Sequence, residues 1–229
     1  MARKPAIKHI KNELKSRLDS SANLYAAVIN FTSTETWEAI QGYEALHPGQ
    51  AKKIISLAFL DMISQWEVFT ENCFIRFLAG ATYLNGKKPP LRITGCLSIE
   101  HSYQLLTLKE KYDPSNSYLS FTSWQQVEDK AKILFLNGEP FSTLTETEKQ
   151  RLKDTIIIRN RIAHYSDKCR NQFKLLAKRF LNVNKLHSGF SVGDLLIKET
   201  DKHFSNNNMQ SIFLHYYDLL SKLSDKITK

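Results

Sequence analysis

The chain has 229 residues, enough for one domain with a real core or one domain with extra helices. Its 42% hydrophobic and 24% charged residues are ordinary for a globular protein, and eight glycines and six prolines are too few for an all-β chain full of tight turns. The net charge of +9 arises within residues 149–229, which hold 16 basic and 7 acidic residues against 16 of each in residues 1–148; so concentrated a positive field attracts polyanions.

In chain order, residues 5–30 read as a first helix, amphipathic at Ile7, Ile10, Leu14 and Leu18. Ser33 and Thr34 offer caps for a short second helix to about Leu46, and His47-Pro48-Gly49 breaks the chain after it. Residues 51–80 carry two adjacent apolar stripes. One runs through Ile55, Phe59, Met62, Trp66, Phe69, Cys73 and Phe77, the other through Leu60, Ile63, Glu67, Thr70, Phe74 and Leu78. Two such stripes predict a widely buried helix at the centre of a bundle. The aromatic residues of the first stripe read as core rather than as a base-stacking platform. Glu67 interrupts the second stripe, and a carboxylate there requires a basic or hydrogen-bonding partner.

Gly86-Lys87-Lys88-Pro89-Pro90 reads as a loop, Ser98 as the cap of a helix to about Tyr112, and residues 113–117 as another loop. A helix over 123–136 is stopped by Asn137-Gly138-Glu139-Pro140. Thr145 and Glu148 have the spacing of a capping box, which opens a helix into the 160s. The run Ile156-Ile157-Ile158 favours a strand by propensity, but the cap and the residues before it favour helix. Residues 169–182 read as a basic helix, 183–194 as a loop, and 207–226 as a last helix with Ile212, Tyr216, Leu219 and Leu223 on one face. The expected fold class is therefore all-α.

Cys73, Cys96 and Cys169 are far apart and odd in number, which implies no disulfide framework and no metal spacing and fits a reducing cytosol. The basic N-terminal stretch contains no continuous apolar run, so no signal peptide is expected. Asp61, Glu67, Glu71 and Arg76 interrupt the longest apolar stretches, so no membrane span is expected. The remaining histidines show no ligand spacing and no phosphate-binding glycine loop exists, so neither metal nor cofactor is expected.

The stretch Ile156 to Ser166 concentrates the chemistry. Leu152, Ile156, Arg159 and Ala163 share a helical stripe, so Arg159 is expected to point where apolar side chains point, with Glu67 as candidate partner. Asn160 and His164, four apart, stack on a neighbouring face. Arg159 and His164 lie about 140° apart around a helix and roughly 7.5 Å along it. One helix does not aim both at one atom, whereas two copies packed about a two-fold axis can line a shared groove.

Arg159-Asn160-Arg161-Ile162-Ala163-His164 resembles the R-N-x-x-A-H form of the R-x(4–6)-H motif of the HEPN superfamily, most of all the RiboL-PSP-type proteins of bacterial defence and toxin systems. The resemblance covers most of residues 5–185. It implies a HEPN-like bundle of four to five core helices over residues 1–185, with 186–229 as a C-terminal helical extension packed on it. It also implies a homodimer through the motif helices and, in many members, metal-independent ribonuclease activity. The expected function is a cytoplasmic endoribonuclease toxin or phage-defence effector, with an antitoxin or defence-system protein as a candidate partner. The alternative is a non-catalytic dimeric module that binds RNA or acts as a scaffold. Some HEPN toxins carry Tyr two residues after the His; here Tyr165 is one residue after and Ser166 holds the second position, so a modification switch on that tyrosine is not carried over.

The chemistry is coherent on its own terms. RNA supplies its own nucleophile, the 2′-OH, and histidine, with an ordinary pKa of about 6.5, serves as base or acid. Arg159 offers a permanently charged fork to the phosphate. Asn160 is placed to orient His164, Glu67 to hold Arg159, and Arg161, Lys168 and Arg170 to track the RNA backbone.

Overall fold

A computed structural model describes residues 6–32, 46–92, 98–113, 119, 121, 123–204 and 208–229. Among them are eight α-helices and one two-stranded ribbon, an all-α architecture. The helices are α1 (Ile7–Thr32), α2 (Pro48–Leu78), α3 (Ile99–Thr107), α4 (Trp124–Leu134), α5 (Glu146–Ala163), α6 (Asp167–Leu181), α7 (Val192–Leu196) and α8 (Ile212–Thr228). Strands β1 (Glu199–Thr200) and β2 (Gln210–Ser211) pair antiparallel just before α8. No helix among the described residues is long and apolar enough to cross a membrane. Cys73 and Cys169 are free thiols. Cys96 and the short helix expected after Ser33 and Thr34 lie outside the described residues.

The capping signals act locally as their chemistry requires. Pro48 begins α2, where its missing N–H is no loss and the first amides bond back to His47. Ser98 and Ser123 cap α3 and α4 through their side chains, and α3 stops at Thr107, five residues short of expectation, because Leu108 turns left-handed. The Thr145–Glu148 box forms in both directions, at 2.9 and 3.3 Å, and the triple isoleucine run is helical. Context over eighteen residues thus overrides a local preference for strand. Two elements were not anticipated: α7 begins in the loop expected over 183–194 and runs past its end, and β2 takes residues 210–211 from the helix expected over 207–226, so that α8 begins at Ile212.

The chain divides into two compact units, each assembled from separate stretches. The first comprises residues 1–16, 65–152 and 220–229. Its core is aromatic. Trp66 stacks on Trp124 at 6.1 Å, and Phe141 meets Phe74 at 4.8 Å and Phe135 at 5.7 Å. Stacked and tilted pairs of this kind add to the burial each ring already contributes. The buried Glu148 carboxylate receives Lys226 at 2.7 Å. Burial pushes this carboxyl up, but the Lys226 and Thr145 hydrogen bonds outweigh it and hold it below the usual carboxylate range.

The second unit comprises residues 17–64 and 153–219. Tyr25 stacks on Phe213 at 4.5 Å, and Phe59 meets Tyr216 edge-on at 5.3 Å. His215 is buried, stacked on Phe204 at 4.4 Å, with Nε2 at the Thr200 carbonyl, which makes it a structural histidine. Gly193 of α7 passes so close to α2 that an added Cβ would stand 2.4 Å from the Lys52 carbonyl oxygen. Only glycine permits that approach.

Candidate nucleic-acid interface

The motif lies at the end of α5 within the second unit. The residues there that face inward are Asp154, Thr155 and Ile158, all nearly inaccessible. This corrects the expected stripe. Leu152 is buried, but Ile156 and Arg159 are half-buried and Ala163 is exposed. Arg159 therefore flanks the packed face rather than sitting on it. Asp154 took no part in the sequence-based site. It is fully buried and accepts a hydrogen bond from Arg179 of α6 at 2.5 Å, tying α5 to α6.

Asn160 is half-buried, and its backbone carbonyl accepts from the His164 backbone N–H at 2.9 Å, so the helical bonding carries on to His164. The His164 side chain is exposed. Arg161 folds back over this corner. Its guanidinium donates to the His164 carbonyl at 3.4 Å and lies 5.8 Å from the centre of the exposed Tyr165 ring. Ser166 then caps α6 by accepting from the Cys169 amide at 3.3 Å. Lys168 is exposed in the first turn of α6, and Arg170, also exposed, pairs with Asp167 at 3.2 Å. Glu67 is half-buried on the part of α2 that belongs to the first unit, while Arg159 belongs to the second.

Two clefts adjoin the motif corner, and Arg161 lines both. The first has a volume of about 580 Å³ between α6 and residues 182–191. Arg161, Arg170, Lys174, Lys178, Lys185 and His187 reach it, and no carboxylate lines it. The second, about 480 Å³, lies against the start of α2 and takes in Lys52, Lys53, Tyr165 and Asp194. Asp194 is committed to local structure. Its carboxylate closes the α7 capping box with Ser191 and pairs with Lys52 at 2.7 Å. Burial pushes that carboxyl up, but Lys52 and Ser191 hold it below the usual range.

Of the three residues expected to track RNA, Arg161 and Arg170 share the first cleft. Lys174, Lys178, Lys185 and His187 were missed. Part of the signal is in the sequence: Arg170, Lys174 and Lys178 recur every four residues, beside the buried face of Phe173, Leu176, Ala177 and Phe180. The other wall has no such signature, because it is made by an irregular loop. Among the described residues no group of three His, Cys, Asp or Glu side chains gathers as a metal site would require. Comparison with protein-family models, curated proteins and solved structures finds no match.

Proposed function

We propose that this chain is a HEPN-type, metal-independent endoribonuclease of the toxin or phage-defence kind, acting as a homodimer through its motif helices. The observation that carries the reading is that His164, one residue past the end of α5, is exposed, and that its backbone carbonyl accepts from Arg161, whose side chain lines a cleft of cations. A base that must reach an RNA hydroxyl needs that access, and the charge around it suits a polyanion.

The chemistry follows from the groups. The imidazole of one His164 removes the 2′-OH proton, and O2′ attacks the adjacent phosphorus. The bond from phosphorus to O5′ breaks, and O5′ takes a proton from the second protomer's imidazolium. The products are a 2′,3′-cyclic phosphate and a 5′-OH end. Arg159 from the two copies stabilises charge on the non-bridging oxygens, and Asn160 orients His164.

The test is direct. Purified protein incubated with total RNA and tRNA is expected to yield cyclic-phosphate ends in the presence of EDTA. His164→Ala and Arg159→Ala each should lower the rate by about 10²-fold or more. Inhibition by EDTA, or full activity in His164→Ala, overturns the proposal. The half-burial of Arg159 and Asn160 favours a second reading, a dimeric RNA-binding or scaffold module without catalysis. Salt-sensitive binding that leaves every RNA intact selects it.

A further inference from the structure

The first cleft holds more positive charge than its surroundings require. Among the described residues Lys174, Lys178 and Lys185 have no ion-pair partner, and only Arg170 has an acidic neighbour, the exposed Asp167. Arg170, Lys174 and Lys178 stand in a row along α6 at intervals of roughly 6 Å, similar to the distance between successive phosphates of an extended strand. The opposite wall carries two rings beside Lys185. Phe190 is half-buried, stacks against Phe173 at 6.3 Å, and meets the exposed His187 ring at 5.2 Å. Gly189, with φ +78°, turns the loop between these two rings. A row of cations facing a pair of rings is the arrangement that holds an unpaired strand, with phosphates on one side and a base stacked on the other. A duplex keeps its bases inside the stack and offers none to Phe190.

We infer that the cleft between α6 and residues 182–191 is the track for an unpaired RNA strand, with successive phosphates on Arg170, Lys174 and Lys178 and one base seated against Phe190 and His187. This deepens the proposed function and rests on RNA being the substrate. Arg161, shared by the cleft and the motif corner, places the seated nucleotide next to the scissile one. Cleavage is thereby confined to loops, bulges and single-stranded stretches.

The test measures binding of a short single-stranded oligoribonucleotide and of its duplex by fluorescence anisotropy, in a His164→Ala background that leaves the strand intact. The single strand should bind at least about ten-fold more tightly than the duplex. Replacing Lys174, Lys178 and Lys185 together with Ala should weaken binding at least ten-fold and reduce the slope of log affinity against log salt by about two. Phe190→Ala and His187→Ala should each weaken binding up to about ten-fold with the salt slope unchanged. His187 is exposed, so its variant reads the seat even if Phe190→Ala fails to fold. Equal binding of the duplex, or unchanged affinity and slope in the triple lysine variant, overturns the inference. So does ATP binding the cleft more tightly than the oligoribonucleotide, which would make it a small-molecule polyphosphate pocket. Failure of the nuclease reading shows separately, as wild-type protein that binds the strand and never cuts it.

Discussion

Glu148 shows how one side chain does two jobs. Its carboxylate closes the cap of α5 at Thr145 and receives Lys226 from α8, with Lys222 at 3.9 Å. Glu148→Ala removes the cap contact and both charge-assisted bonds, while Lys226, about a quarter exposed, can turn to water. The expected loss is about 2 kcal/mol, read from the urea midpoint. The same group sets a pH dependence, together with Glu128 and Asp194. In all three, burial pushes the carboxyl up and lysine partners, aided at Glu148 and Asp194 by local capping bonds, bring it below its ordinary value. A carboxylate whose folded pKa lies below its unfolded one contributes stability that is complete above the unfolded value, about 4. Stability should therefore hold at neutral pH and fall as pH drops below about 4, with Glu148→Gln flattening that fall.

The motif and the first cleft depend on where α5 ends and α6 begins. Ala163 closes α5, residues 164–166 turn, and Ser166 restarts the chain as α6. Removing that cap by Ser166→Ala should lower stability by about 1 kcal/mol, and Ser166→Asp should restore it, since an acidic cap also suits the positive end of the helix. Circular dichroism melts of the two variants decide the matter. The other constraint is Gly193, where α7 lies against α2. Gly193→Ala must push Lys52 or α7 aside and is expected to cost about 3 kcal/mol. Because Ser191 and Gly189 lie just before α7 and line both clefts, the same change should weaken oligoribonucleotide binding. Binding equal to that of the wild type would show that the loop holds its place without α7.

For the molecule as a whole, the proposed chemistry requires two copies, because it uses one imidazole as base and a second as acid, and each chain supplies one motif histidine, His164. Sedimentation should give a dimer near twice the mass of the 26.4 kDa chain. Adding an excess of His164→Ala protein to the wild type should lower cleavage below the share of wild-type chains, because a mixed dimer keeps one imidazole where the chemistry uses two. A strict monomer that still cuts RNA would remove the shared groove from the mechanism.

The all-α class, the buried face of α2 and the caps at Ser98 and Thr145 were legible in the sequence. Each follows from the periodicity or chemistry of neighbouring residues, and a helix closes its hydrogen bonds over four positions. The motif could be read there too, as could the basic row on α6. Other features became visible only in the tertiary structure. Arg159 lies beside the packed face because Asp154 and Ile158 turn inward. The α6 row faces Lys185, His187 and Phe190 because an irregular loop returns across it. No local periodicity encodes such contacts. They depend on distant stretches meeting, as when α7 can lie against α2 only because residue 193 has no side chain.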